Sequence, residues 1–143
     1  MSTNYYLIYN ECKCCNRSDS VHLGKSSGGW KFTFQTIEDF PLDKVDLALQ
    51  IAEHKQSIDI KSWKSLKEFL QKYVVDFKTA RIEDEYSSNI SFEEFLDLVH
   101  SKQANDNNKS HYWEIKNDSR WTFEPENELI DEEGYSFSRR DFS

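Results

Sequence analysis

No run of eighteen apolar residues occurs in this 143-residue chain, so the sequence offers no membrane-spanning helix. The opening residues MSTNYYLIYNE lack the charged region and apolar stretch of a secretory signal, and the expectation is a soluble, cytoplasmic protein. Cysteine is scarce: there are three, Cys12, Cys14 and Cys15. An odd number crowded into four positions is a poor disulfide framework, and in a reducing compartment such a cluster more often binds metal. Apolar residues make up only 37%, but 4 Trp, 7 Tyr and 10 Phe supply large rings, each able to bury on the order of 150 to 250 Å². The length suits one domain, residues 1–143, and is too short for two independent cores.

Cations are in short supply over the second half of the chain. Residues 1–78 carry 11 basic and 10 acidic side chains and residues 79–143 carry 7 and 16, so the net charge of −8 divides into +1 and −9. An acidic surface repels nucleic acid and anionic membrane and attracts basic protein surfaces, with a pull that weakens as salt rises. Direct DNA binding is therefore not expected.

The pattern along the chain divides into a cysteine-containing β segment (1–36), a helical segment (41–100) and an acidic β segment (111–143). YYLIY at 5–9, VHLG at 21–24 and WKFTF at 30–34 read as strands. Ser26 to Gly29 provides a flexible turn between the second and third. Trp63, Leu66, Phe69, Leu70, Tyr73, Val74 and Phe77 recur at three- and four-residue steps, which predicts an amphipathic helix capped by Ser62. Ser91 with Glu94 makes a capping box for another helix ending near His100, and Pro41–His54 also reads as helical. SKQANDNNKS at 101–110 reads as a loop, HYWEIK and RWTFE as a hairpin, and Tyr135 with Phe137 as a last short strand. The expected fold class is α+β: an antiparallel sheet from N- and C-terminal strands packed against two or three helices, with a zinc-knuckle-like N-terminal turn.

That turn is the chemically pointed part of the sequence. Cys12 and Cys15 form a C-x-x-C pair whose thiolates can reach one ion from a tight turn, and His22 offers a third ligand from the next strand. Zinc takes four N or S ligands in tetrahedral array; the fourth stays open among Cys14, His54, His100 and His111. The competing reading is reduced cysteines buried as small hydrophobes. His54 and His100 also fall in the last turns of predicted helices, where a cationic ring meets the helix dipole without any metal.

Two motif likenesses fail on inspection. Gly24-Lys25-Ser26 resembles the end of a phosphate-binding loop, but position 19, where that motif needs glycine, is Asp19. Lys13, Arg17, Lys25 and Lys31 still form a basic patch able to contact an anion. Glu83 to Glu94 resembles a calcium loop, but Glu83 replaces aspartate at its first position and Ser88 replaces the glycine of its sharp turn. Those acids instead suit the positive end of a helix. No spacing pairs a nucleophile with a base and an orienting group. From Glu124 to Glu133 there are six carboxylates and no cation. With Trp121 and Tyr135 nearby, Glu126, Glu128, Asp131 and Glu132 are the candidate contacts for a basic partner.

The beginning NYYLIYNECKCCNRSDSVHLGKSSGGWKFTF and the end DEEGYSFSRRDFS resemble small proteins encoded by bacteriophages and prophages, over about a third of the chain; Cys12, Cys15, His22, Gly24, Trp30 and Phe32 carry the likeness. The resemblance implies a bacterial cytoplasm and an accessory role, a group that includes anti-CRISPR inhibitors occupying the nucleic-acid-binding surface of a host nuclease. The expected function is a non-enzymatic, Zn²⁺-holding inhibitor that binds the basic surface of a host protein such as a CRISPR nuclease. The alternative is a small metal-dependent or phosphate-handling enzyme of phage metabolism that uses the same cysteines and Lys25.

Overall fold

A computed structural model describes residues 2–12, 14, 15, 17–105 and 128–139. Among these, seven strands form one sheet in the order β7-β6-β1-β2-β3-β9-β8. The strands are β1 (Ser2–Tyr9), β2 (Asp19–Ser27), β3 (Thr33–Gln35), β6 (Ala80–Asp84), β7 (Asn89–Ile90), β8 (Glu128–Ile130) and β9 (Ser136–Ser138). All neighbours are antiparallel except β3 and β9, which run parallel in the register Thr33 to Ser136 and Phe34 to Phe137. The fold is α+β, and strands from both ends of the chain meet in the same sheet, as the patterning predicts. The expected hairpin of HYWEIK and RWTFE, with Trp121 and His111, lies outside the described residues.

The sheet holds together through aromatic stacking. Phe32 and Phe34 are both fully buried. Phe34 stacks on Phe137 with centroids 4.8 Å apart and a 17° interplanar angle, which carries the parallel β3-β9 pairing into the core. From the helices come Trp63, against Phe34 at 5.2 Å, and Phe95, edge-on to Phe32 at 5.6 Å. Burying such a ring contributes roughly 2 to 3 kcal/mol before any stacking preference is added.

Helices α2 (Trp63–Leu70) and α3 (Phe92–Ala104) begin as their caps predict. Ser62 Oγ accepts from Ser65 N at 3.2 Å, and Ser91 Oγ accepts from Glu94 N at 3.1 Å. Their ends differ from expectation. After Leu70 the backbone widens into a π-helix over Gln71–Asp76, closed by a bond from Phe77 N to Lys72 O. A wider turn shifts later residues around the axis, so Tyr73 stays in the core while Phe77 is 52% exposed. The second helix runs four residues past His100, because its last turn is tied down from afar. Lys102 Nζ donates to Ser27 O at 2.7 Å, and Gln103 Nε2 donates to Gly134 O at 3.0 Å.

The predicted helix over Pro41–His54 is corrected. Ile37–Pro41 is a strand, β4, paired with β5 (Ser57–Ile60) in a separate two-stranded sheet. A 3₁₀ turn at Leu42–Lys44 follows, and only Leu47–Ile51 is α-helical (α1). Asp46 starts that helix afresh by accepting from Ala48 N at 3.1 Å. Ile37, Phe40 and Val45 are buried, so apolar spacing that imitates a helix arises here from a strand, a turn and a short helix in succession.

A candidate metal-binding loop

The three cysteines lie in the loop joining β1 to β2, beyond the last strand pair, Tyr9 with Asp19. All three are free thiols and all three are exposed, which removes the reading of small buried hydrophobes. The loop closes on itself: Cys12 N donates to Arg17 O at 2.7 Å, and Cys14 and Cys15 form the turn between. Hydrogen bonding from the Cys15 thiol, and then from the backbone of Cys14 and Cys15, holds the Cys12 thiol below its usual pKa. Amides aimed at a sulfur favour its thiolate, the form that ligates a metal.

His22 is elsewhere. It pairs with Tyr6 in the β1-β2 ladder, three residues inward from the loop mouth, a separation of about 10 Å along a strand. Its Nε2 lies 3.0 Å from Asn4 Oδ1 and its Nδ1 3.2 Å from Gln35 Oε1. Gln35 Nε2 donates to Ser138 O at 3.0 Å, which orients that amide so that its oxygen faces the imidazole. The ring also packs on Tyr6 at 5.3 Å. His22 thus pins β1 to β3 across β2. His100 stands edge-on to Trp63 at 6.0 Å, and His54 follows α1 as an exposed residue. Among the described residues no three His, Cys, Asp or Glu side chains come together as a metal-binding group.

The carboxylates nearest the thiols are committed. Glu11 Oε2 accepts from Arg81 Nη1 at 2.5 Å while Arg81 Nε reaches Glu83 at 2.6 Å. Asp19 Oδ2 accepts from Asn10 Nδ2 at 3.0 Å and from Lys44 Nζ at 3.2 Å, and these two donors hold its carboxyl below the usual range. Behind the loop lies a cleft of about 520 Å³, walled by Tyr9, Glu11, Lys44, Leu47, Lys78 and Arg81 among others. No local sequence signal points to it, because its walls come from β1, α1, β6 and the turns beside them.

The acidic candidates fall into three groups. Trp121 and Glu126 lie outside the described residues, and of Glu128 the structure describes the backbone, at the start of β8. Tyr135 is a core residue: it is 8% exposed and packs on Trp63 at 5.5 Å. Asp131 is structural, with Oδ1 accepting from Glu133 N at 3.0 Å and Tyr135 N at 2.8 Å and Oδ2 from Trp63 N at 2.7 Å. Glu132 is exposed on a cleft whose opposite wall is Lys61, Lys64 and Lys67, so part of the acidic turn faces the chain's own lysines. Gly24 of the GKS tripeptide serves packing: a β-carbon there would run into the Phe32 ring and sit 2.5 Å from Thr33 O.

No family model matches this chain, and neither a curated protein nor a solved structure gives a match. Among the described residues no helix is long and apolar enough to cross a membrane.

Proposed function

We propose that this chain is a non-enzymatic interaction protein whose cysteine loop takes up Zn²⁺ through Cys12 and Cys15. The observation that carries the reading is the exposed C-x-x-C turn itself, with all three thiols outside any disulfide and the loop closed by Cys12 N donating to Arg17 O at 2.7 Å. That arrangement leaves both thiols of the pair open to an ion from solvent. Zinc, with its preference for sulfur and tetrahedral geometry, suits two such ligands. The net charge of −8 favours a protein partner with a basic surface of the kind that binds nucleic acid, in a complex that weakens as salt rises.

The test is a zinc titration of metal-free, reduced protein against a chromophoric chelator, with elemental analysis of the recovered chain. Wild type is expected to take up zinc, Cys12→Ser and Cys15→Ser to lose that uptake, and both variants to keep the wild-type far-UV circular dichroism. Wild type that leaves all zinc with a weak chelator overturns the reading.

A further inference from the structure

The β1-β6 ladder ends at the pair Tyr9 and Ala80. Beyond it both chains turn sharply, with Asn10 and Lys78 in the left-handed region at φ 54° and 55°. Asparagine takes that conformation readily, whereas lysine does so at a cost. Lys78 follows the π-helix Gln71–Asp76, and the turn is held by Thr79 N donating to Tyr73 O at 2.9 Å. Both residues thereby come to line the cleft of about 520 Å³ that α1 and the turn before it also wall.

The charges on those walls are unlike those of the chain. Lys44, Lys78 and Arg81 line the cleft with one carboxylate, Glu11, on a protein of net charge −8. Lys44 Nζ has Asp19 at 3.2 Å, and Arg81 holds Glu11 on Nη1 and Glu83 on Nε. Arg81 Nη2 and the Lys78 ammonium have no acceptor among the described residues. Ile8 and Leu47 add apolar surface.

We propose that this cleft binds a phosphate group, free or carried by a small molecule, with Lys78 and Arg81 as its principal contacts and Lys44 in support. Guanidinium N–H groups match phosphate oxygens in pairs, and a lysine adds a point charge. Cations from three separate elements suit a phosphate, which carries up to two charges, better than a carboxylate, which Glu11 already supplies. The volume lies within the range of about 300 to 1,000 Å³ usual for small-molecule sites, and leaves room against Ile8 and Leu47 for an organic group. A nucleic acid strand is disfavoured by the acidic remainder of the chain. No cysteine lines the cleft, so the proposal stands apart from the zinc reading.

The experiment titrates inorganic phosphate, AMP and adenosine into reduced full-length protein at low salt, followed by calorimetry and by amide shifts in NMR. AMP is expected to bind and adenosine not, with shifts at residues 8–11, 44–50 and 78–81. Lys78→Gly, which keeps the left-handed backbone, should raise the AMP Kd about tenfold, and Lys78→Arg should retain binding. Lys64→Ala, which removes the same charge from α2, should leave the Kd unchanged. AMP bound more tightly than inorganic phosphate identifies an ester as the ligand, equal affinity identifies free phosphate, and either supports the site. Binding of neither below about 10 mM overturns the proposal. Equal weakening by Lys64→Ala and Lys78→Gly, or adenosine bound as tightly as AMP, overturns it as well.

Discussion

The backbone N–H of Trp63 donates to Asp131 Oδ2 at 2.7 Å, across 68 residues of sequence. One carboxylate thereby ties the first residue of α2 to the turn between β8 and β9, whose N–H groups its other oxygen accepts. Asp131→Ala leaves these donors without their acceptor, Trp63 N–H in a largely buried position. It should cost about 2 to 4 kcal/mol in urea unfolding. Glu132→Ala, at an exposed neighbouring position, should change stability by less than about 0.5 kcal/mol. Equal effects would remove the structural role given to Asp131.

Tyr73 donates its hydroxyl to Asp46 Oδ2 at 3.1 Å. Burial, then the hydrogen bond and charge of Asp46, pushes its pKa from 10.0 up to about 12. A phenol with a folded pKa above its unfolded value contributes stability that is complete below pH 10 and is lost as pH rises from 10 toward 12, since the unfolded chain releases the proton first. The loss from this group is on the order of 2 kcal/mol. Tyr73→Phe should lower stability at pH 7 by about 1 kcal/mol and flatten the alkaline slope of stability between pH 10 and 12. An unchanged slope would show that another group carries it.

Gly24 leaves the space that the Phe32 ring occupies. Gly24→Ala should destabilise the protein by about 3 kcal/mol, because the other atom it meets, Thr33 O, is backbone and cannot swing aside. Double replacement with Phe32→Leu should recover part of that loss, and thermal melts of the two single variants and the double variant would show whether the pair is coupled.

His22 belongs to the sheet and the cysteines to the loop, so replacing each should have separable effects. His22→Ala is expected to leave zinc uptake intact while lowering stability by about 1 to 2 kcal/mol through the contacts to Asn4, Gln35 and Tyr6. Cys15→Ser is expected to do the reverse in metal-free protein, abolishing uptake at near-wild-type stability. Loss of zinc binding in His22→Ala at unchanged stability would restore the histidine as a ligand.

What the sequence by itself determined is local. Ser62 and Ser91 cap their helices because a side-chain oxygen and an amide two or three residues on are all that a cap requires. The cysteines fall in one exposed loop because they lie next to one another between two paired strands. Phe32 and Phe34 reach the core because alternation in an extended chain is a property of the backbone. The tertiary structure alone decided what depends on distant partners. Phe34 meets Phe137 through a parallel pairing, and Asp131 is drawn under Trp63. Pro41 becomes the end of a strand because Ile37–Pro41 finds Ser57–Ile60 beside it. His22, offered as a ligand by its place in the strand after the cysteines, is held in the sheet by Asn4 and Gln35. Contacts made across tens of residues depend on the shape of the whole chain, and no short window of sequence contains that shape.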